Sequence, residues 1–308
     1  MLPGICLRSR ERCAAVVSVA VAVSVAVSGC SANHGTREPA ERHASSGATE
    51  ARPEPKNAPP DPAEPAAEPR TAAEFVARAR QAMGAEKGWT FTLSGSESAV
   101  MRGQTPSSAT YAATVHRTTA PEALEQTGTI TTGKGERKPE LVYVVGGTGY
   151  VREGAEAWKK GPLSDPDIAD DVEDPMAQLA DFAAYAKSAR VTEAGADGQV
   201  RLRVTASGWR LSAARSRPAL KKAVREVEPT LAQLRKAGVR TADGQITLKS
   251  LDETWGLDAA HGYRVASHRY AFTFLVPYRG GDITVSQEVR AENYGVFTGR
   301  VSLPSGAR

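Results

Sequence analysis

The feature that most restricts the fold is a long alternation of apolar and polar residues near the C-terminus. Every second residue from Tyr270 to Val276 is apolar, and the segment 283–291 repeats the pattern after a turn at Gly280-Gly281-Asp282. A period of two is the spacing of side chains on one face of a β-strand. Strands joined by a short turn pair as antiparallel hairpins. The C-terminal third therefore predicts long antiparallel strands with one apolar face.

Strands are also predicted in the rest of the globular part. Trp89, Phe91 and Leu93 alternate strictly with threonine and serine, which predicts one apolar face and one hydroxyl-bearing face. Shorter alternations and apolar runs predict the remaining strands at 108–118, 124–131, 141–145, 199–205, 245–251 and 296–303. The globular part is therefore expected to be rich in antiparallel β-structure.

Three helices are predicted among these strands. The sequence Thr71-Ala-Ala-Glu74 is a capping box, which marks a helix N-terminus. Asp174-Pro175 combines an N-cap residue with a proline at the first helical position. The segment 216–237 has apolar residues at helical spacing, and Pro229 predicts a kink or a split near its middle. The sequence therefore indicates the α+β class.

The N-terminus has the organisation of a secretory signal peptide over residues 1–29. Three arginines precede an uninterrupted run of alanine, valine and serine from Ala14 to Val27. At 1.5 Å per residue this run spans about 21 Å, which is less than the roughly 30 Å hydrocarbon core of a bilayer. The run ends in Ser28-Gly29-Cys30. These features favour a cleaved signal peptide over the alternative, an uncleaved membrane anchor.

The segment Val27-Ser28-Gly29-Cys30 resembles a lipobox, at which bacterial lipoproteins are cleaved and linked to diacylglycerol through the cysteine thiol. The resemblance implies that the mature chain begins at Cys30. Acyl chains such as palmitate would then anchor it to the extracytoplasmic face of the cell membrane. Because Cys6 and Cys13 precede the cleavage point, the mature chain would keep one thiol. Neither an intramolecular disulfide nor a cysteine metal site is therefore expected.

Residues 30–70 are predicted to connect this anchor to the globular part. The segment 31–70 contains eight prolines and no Val, Ile, Leu, Met, Phe, Trp or Tyr. Such a composition cannot bury enough apolar surface to offset the entropy of ordering. The segment is therefore expected to be a disordered linker, which serves either as a spacer or as a recognition segment for a partner.

Residues 71–308 are expected to form a single domain without enzymatic activity. The domain carries 31 basic and 27 acidic residues, and this mild charge of +4 predicts no nucleic-acid partner. Motifs for a hydrolase nucleophile or a zinc-binding helix do not occur in it. The loop Gly146-Gly147-Thr148-Gly149 lacks the lysine of a phosphate-binding loop, and His268 is interpreted as structural. No cofactor and no metal site are predicted.

The order of elements resembles that of the LolA-like and LppX/LprG-like bacterial lipoproteins. The resemblance rests on the strand Trp89–Gly95 after an amphipathic helix, the hairpin Thr254–Gly262 and the closing segment Val301–Pro304. It implies a curved antiparallel β half-barrel with helices packed on its concave side. In several members of the family, an apolar cavity between sheet and helices holds lipid acyl chains. The helical stretch 210–237 departs from the family pattern and would fill or cover such a cavity.

The resemblance also implies which side chains face the interior. The implied residues are Trp89, Phe91, Leu93, Tyr270, Phe272 and Phe274 from strands, with Leu179 and Phe182 from a helix. Apolar alternation specifies a buried face, whether side chains or a ligand fill the space next to it. A packed core and a core with a ligand cavity therefore both remain open.

Two functions are consistent with these expectations. The first is a membrane-anchored extracytoplasmic lipoprotein that binds a lipid or another hydrophobic ligand between sheet and helices. The second is a non-enzymatic sensor or regulatory module that binds an envelope protein partner. Both use the predicted anchor and linker in the same way, and they differ in whether the interior is open to a ligand.

Overall fold

The computed structural model describes residues 68–193, 195 and 198–307. The predicted signal peptide at 1–29, the predicted lipidation site Cys30 and all but the last three residues of the predicted linker lie outside these described residues. Among the described residues, no helix is long and apolar enough to cross a bilayer.

The described residues form an open, curved antiparallel sheet of twelve strands. The strands are β1 (Gly88–Met101), β2 (Ser107–Thr119), β3 (Glu122–Thr132), β4 (Arg137–Val145), β5 (Thr148–Glu153), β6 (Lys159–Pro162), β7 (Arg190–Thr192), β8 (Gln199–Ala206), β9 (Trp209–Arg210), β10 (Thr247–Asp258), β11 (Arg264–Tyr278) and β12 (Gly281–Val296). Their order is β6-β5-β4-β3-β2-β1-β12-β11-β10-β8-β7, and β9 also pairs with β10. The predicted curved antiparallel fold class is confirmed.

In the described part of the chain, five α-helices connect or cover the strands. They are α1 (Ala72–Gly84), α2 (Pro166–Ala169), α3 (Pro175–Phe182), α4 (Leu211–Ala214) and α5 (Lys221–Lys236). The predicted start of α1 is confirmed, because Thr71 and Glu74 form the reciprocal hydrogen bonds of a capping box. The predicted start of α3 is also confirmed, since the Asp174 carboxylate accepts from two backbone amides of its first turn.

Of the two effects predicted for Pro229, the split is wrong, because α5 continues through this residue to Lys236, and the kink stays a prediction. A proline inside a helix removes one backbone hydrogen bond and costs about 3 kcal/mol. Buried residues on both sides of the proline, among them Val224 and Leu231, hold the helix against the rest of the core. Tertiary packing therefore outweighs the local preference.

The predicted final strand at 296–303 is also wrong, because β12 ends at Val296. The chain instead continues as a tail without strand structure, and Val301 and Leu303 pack against Tyr143 and Tyr150. The tail thereby covers one face of β4 and β5, while Ile168 of α2 covers the other. A strand that is buried on both faces explains the uninterrupted apolar run of β4.

The main core lies between one face of the sheet, which we call the interior face, and helices α1, α3 and α5. Phe75 and Met83 of α1, Leu179 of α3 and Leu231 of α5 are buried in the same cluster as the strand residues. The Trp89 indole Nε1 also donates to the Met83 carbonyl oxygen at 2.7 Å, which satisfies a backbone acceptor near the end of α1. The helices therefore form a separate layer on the interior face.

Candidate functional site in the sheet–helix interior

All eight residues that the family resemblance placed in the interior are buried there. Each is 0–4% exposed, and all belong to the cluster between sheet and helices. They are Trp89, Phe91, Leu93, Leu179, Phe182, Tyr270, Phe272 and Phe274. The six strand residues lie on one face of the sheet, as the alternation on β1 and β11 requires, and Leu179 and Phe182 pack in the same cluster from α3.

Aromatic rings of β10 and β11, with Phe182 at the end of α3, form a row between the interior face and the helices. Neighbouring ring centroids in this row lie 3.8–6.5 Å apart. The row consists of Phe182, Trp255, His268, Tyr270, Phe272 and Phe274. The closest pair is Trp255 and His268, whose rings are stacked at 3.8 Å. Rings at these distances contact one another, so side chains occupy this part of the interior.

A small pocket opens elsewhere on the interior face, between β1, β2 and β12. Its volume is about 20 Å³, and its lining includes Gly95, Tyr111 and Gln287. None of the eight predicted residues lines it. A space of this volume accommodates about one water molecule, so an acyl chain does not fit in it.

A buried polar cluster, which we call the Glu253 cluster, lies beside the part of the aromatic row that Trp255 and His268 form. One Glu253 carboxylate oxygen accepts from the Trp255 indole Nε1 at 3.1 Å and lies 3.1 Å from His268 Nε2. The other oxygen accepts from the Tyr185 hydroxyl at 2.7 Å. Glu253 and His268 are each 2% exposed. Three side chains therefore converge on one carboxylate inside an otherwise apolar core.

The ionisation of the Glu253 cluster follows from burial and hydrogen bonding. Burial raises the pKa of Glu253, but the hydrogen bonds from His268 and Tyr185 outweigh it and leave that pKa lowered. Burial lowers the pKa of His268, against the opposing effect of Glu253. Burial, followed by the charge of Glu253, raises the pKa of Tyr185. The cluster is therefore a carboxylate held by neutral donors, and His268 donates through a proton assigned to Nε2.

Lys222 of α5 lies next to this cluster and faces β11. Its ammonium nitrogen is 4.7 Å from the centre of the Tyr270 ring. The nearest carboxylates, those of Glu226 and Glu173, lie 3.6 and 4.0 Å from the same nitrogen. Glu226 in turn accepts from the Gln287 side chain of β12 at 2.9 Å. Polar contacts thus connect α5 to the interior face within the apolar core.

Some of these polar residues could have been predicted from the sequence, because they occur inside an apolar alternation. Glu253, His268 and Gln287 each occupy an apolar-face position in an alternating strand, where a polar residue needs a partner. His268 was interpreted as structural, and its position on the interior face agrees with that interpretation. Tyr185 and Lys222 follow no comparable pattern, because their partners are distant in sequence.

Stability is expected to fall as the pH drops below about 6.5. Because burial lowers the pKa of His268 from its ordinary value of 6.5, the unfolded chain takes up this proton first. The free energy of unfolding therefore has its full value above the pKa that His268 has in the unfolded chain. It decreases as the pH falls below that pKa, by up to about 1.4 kcal/mol per pH unit. Glu253 adds to the loss only below its ordinary value of 4.5.

Urea unfolding at about pH 7.5 and about pH 5.5 measures this effect. The control is His268→Gln, which keeps a hydrogen-bond donor but does not titrate. We expect the variant to show a clearly smaller difference between the two conditions. An equal pH dependence of the two proteins would contradict the assignment to His268.

Among the described residues, no group of three or more His, Cys, Asp or Glu side chains could hold a metal ion. The interior instead offers the Glu253 carboxylate with its neutral hydrogen-bond donors, and the Lys222 ammonium group with the carboxylates of Glu226 and Glu173. Aromatic and aliphatic side chains surround these groups. A few polar groups in an apolar interior are the usual composition of a site for an amphipathic organic ligand.

Comparisons with known proteins show no close relative. No protein-family model matches the sequence, and no curated protein matches it. A β-barrel-like protein of the domain of unknown function DUF1849 from Brucella abortus is 7% identical, with 68% of this chain and 99% of that chain covered and a TM-score of 0.23. A DUF1329 family protein from Desulfovibrio piger is 8% identical, with 75% and 93% covered and a TM-score of 0.25. Scores this low carry no functional argument.

Proposed function

We propose that this chain is a lipoprotein, anchored through Cys30 to the extracytoplasmic face of the cell membrane, that binds a lipid or another hydrophobic ligand between its sheet and its helices. The observation that supports binding is the predominantly apolar interior face, which is covered by separate helices. Helices attach to this face through side chains, so they can separate from it without breaking the hydrogen bonds of the sheet. The proposal gives the protein no catalytic role and agrees with the resemblance to LolA-like and LppX/LprG-like lipoproteins.

Access to the interior requires a helix to move, because aromatic side chains are in contact in the described state. Helix α5 is the best candidate. Its polar attachments include the hydrogen bond between Glu226 and Gln287 and the ion pair between Arg225 and Asp170 at 3.5 Å. The Arg225 side chain is half exposed, and such ion pairs contribute about 0–1 kcal/mol. The apolar residues of α5 therefore supply most of its attachment, and a hydrophobic ligand can replace them.

The sequence N-terminal to the described residues supports the membrane attachment. Two acyl chains on Cys30 would contribute about 0.8 kcal/mol for each buried CH₂ group, which is enough for stable anchoring. A linker with the composition of 31–70 would reach up to about 120 Å when fully extended. Such a length lets a binding domain work at the membrane surface or at a distance from it.

Native mass spectrometry of the full-length lipoprotein, purified in mild detergent from its own host, tests the proposal. We expect a mass that exceeds that of the anchored chain by one lipid. This lipid should dissociate when the ions are activated by collision. A second measurement is the uptake of the fluorescent apolar probe N-phenyl-1-naphthylamine. Absence of both a bound lipid and probe uptake would show that the proposed function is wrong.

A cross-linked variant tests the role of α5 in the same assay. Glu226→Cys and Gln287→Cys place two thiols on side chains that now contact each other. The chain has no other cysteine after Cys30, whose thiol is consumed by lipidation in the proposed form. A short bismaleimide should therefore tie α5 to β12 and block probe uptake. The same variant without the cross-linker is the matched control and should take up the probe normally.

The second candidate is a non-enzymatic module that binds an envelope protein. The contacting rings of the interior favour it, because a filled core needs no ligand. In that case the full-length protein should co-purify with one reproducible protein partner and without lipid. A co-purified lipid together with probe uptake would exclude a purely protein-binding role.

A further inference from the structure

We infer that one end of the sheet, which we call the basic rim, docks on the surface of an anionic lipid bilayer. This inference rests on the lipid anchor of the proposed function and adds the orientation of the domain at the membrane. The basic rim consists of the hairpin turns β1–β2, β3–β4, β5–β6 and β11–β12, which lie at the same end of the antiparallel strands. A basic residue lies in or directly after each turn, at Arg102, Lys134, Lys159 and Arg279.

The two ends of the sheet differ in charge. Eight basic and four acidic residues lie in the turns of the basic rim or within two residues of them. The turns β2–β3, β4–β5 and β10–β11 form the opposite end, where the same limits include one basic and two acidic residues. The one basic residue there, Arg264, lies 3.8 Å from Asp258. An anionic surface is therefore attracted to one end of the sheet.

The basic rim includes an open cleft beside the β11–β12 turn. Its volume is about 590 Å³, and Arg240 and Thr241 line it opposite the segment 277–282. The Thr241 hydroxyl donates to the Pro277 carbonyl oxygen, so β11 itself holds the loop after α5. No described residue forms an ion pair or a hydrogen bond with the side chain of Arg240 or Arg279. Both guanidinium groups can therefore bind the phosphate oxygens of lipid head groups, which fit arginine well.

Arg279 also occupies a backbone position that usually belongs to other residues. Its φ is 49°, and Gly280 follows with a φ of 76°. A two-residue hairpin turn with both angles positive is of type I′, in which asparagine, aspartate or glycine is favoured at the first position. An arginine there strains the backbone, and such strain is typical of residues with a function. The turn thus presents a cation at its tip at some cost in stability.

An extended surface fits the basic rim better than a small soluble anion does. Neighbouring turns of the rim are two strands apart, which is about 10 Å along the sheet. The four turns together extend over about 29 Å of the sheet edge. Each basic residue near an anionic bilayer adds a weak attraction. The proposed anchor at Cys30 would hold the domain at a high local concentration, so a weak contact is sufficient.

Fluorescence of the labelled full-length lipoprotein in vesicles tests this orientation. Thr105→Cys places a thiol in the β1–β2 turn, and Ala260→Cys places one in the β10–β11 connection at the opposite end. Each thiol carries a nitrobenzoxadiazole label, whose emission increases when it leaves water. Phosphatidylcholine vesicles with about 30% phosphatidylglycerol should increase the emission at residue 105 over phosphatidylcholine alone, and high salt should remove the increase. The emission at residue 260 should be the same in both.

Two substitutions at the basic rim should weaken docking of the labelled chain. Arg279→Asn and Lys134→Gln should each lower the ratio of docked to undocked domains about fivefold, the effect of one basic residue at an anionic surface. Arg279→Asn should also raise the free energy of unfolding, because asparagine favours this turn, so unfolding would not explain its loss of docking. The matched control is Lys87→Gln, which removes an exposed charge at the opposite end and should leave docking unchanged.

Equal emission from residue 105 in the two kinds of vesicle would overturn the docking surface, and so would equal effects of Lys134→Gln and Lys87→Gln. Retention on heparin without any response to vesicles would assign the basic rim to another polyanion and overturn the bilayer as its partner. If mass spectrometry finds no lipid on Cys30, the anchor of the proposed function fails, and sedimentation of the same chain with anionic vesicles still tests the rim. Docking without uptake of N-phenyl-1-naphthylamine would refute only the proposed ligand binding.

Discussion

Glu253→Ala is expected to lower the free energy of unfolding by about 3–5 kcal/mol, because each of three buried donors left without an acceptor costs about 1–3 kcal/mol. The substitution removes the carboxylate that accepts from Tyr185 and Trp255 and contacts His268. These groups would remain buried without their acceptor, and each loses the hydrogen bond that compensates its desolvation. Urea unfolding at neutral pH, followed by tryptophan fluorescence, measures the loss. Glu253→Gln should lie between the native protein and the alanine variant, because the amide keeps one accepting oxygen.

Asp252→Ala is the matched control, since it removes a carboxylate from the adjacent position on the opposite face of β10. Asp252 pairs with Arg203 and Arg269, whose side chains are 56% and 38% exposed. Ion pairs of this kind contribute about 0–1 kcal/mol, so the control should change stability little. Equal losses from the two alanine variants would contradict a special role of the Glu253 cluster. Both variants lose one carboxylate from the same strand. A difference between their free energies of unfolding therefore reports the burial of Glu253 and not the loss of a charge.

Deletion of residues 298–308 is expected to lower the free energy of unfolding by about 2–4 kcal/mol. The deletion removes Val301, Leu303 and Ala307, which pack against Tyr143 and Tyr150 on the face of β4 and β5 away from α2. Burial of such side chains contributes about 1.5–3 kcal/mol each when complete, and less here because Val301 and Leu303 are only partly buried. Urea unfolding of the shortened and native chains measures the difference.

The tail deletion has a local readout and a control. Trp158 packs beside Tyr143, so its fluorescence should shift to longer wavelength when the tail no longer covers this cluster. Tyr294→Ala removes a large side chain that is 80% exposed, and its effect on stability should stay within about 0.5 kcal/mol. Unchanged stability of the shortened chain would show that the tail contributes nothing to the sheet.

Local sequence patterns predicted the fold well where the residues that determine an element lie within that element. The capping box that begins at Thr71 and the cap at Asp174 are examples, because each cap is formed within four residues of sequence. The alternation on β1 and β11 likewise placed their aromatic residues on the buried face. Predictions failed where distant parts of the chain decide the outcome. Pro229 lies inside a continuous helix, and the residues after Val296 form a tail.

The candidate site shows the same division. The sequence alone determined that Trp89 and Phe91 share one face of β1, and that Tyr270, Phe272 and Phe274 share one face of β11, because a period of two fixes the facing of every residue in a strand. It could not assign the Glu253 cluster, since Tyr185 and Glu253 are 68 positions apart and meet only when the turn after α3 packs against β10. Contacts across such separations depend on how the sheet curves and where the helices lie. Only the tertiary structure therefore decided which polar residues are paired inside the apolar core and which donors, at Tyr270 and Lys222, face one another.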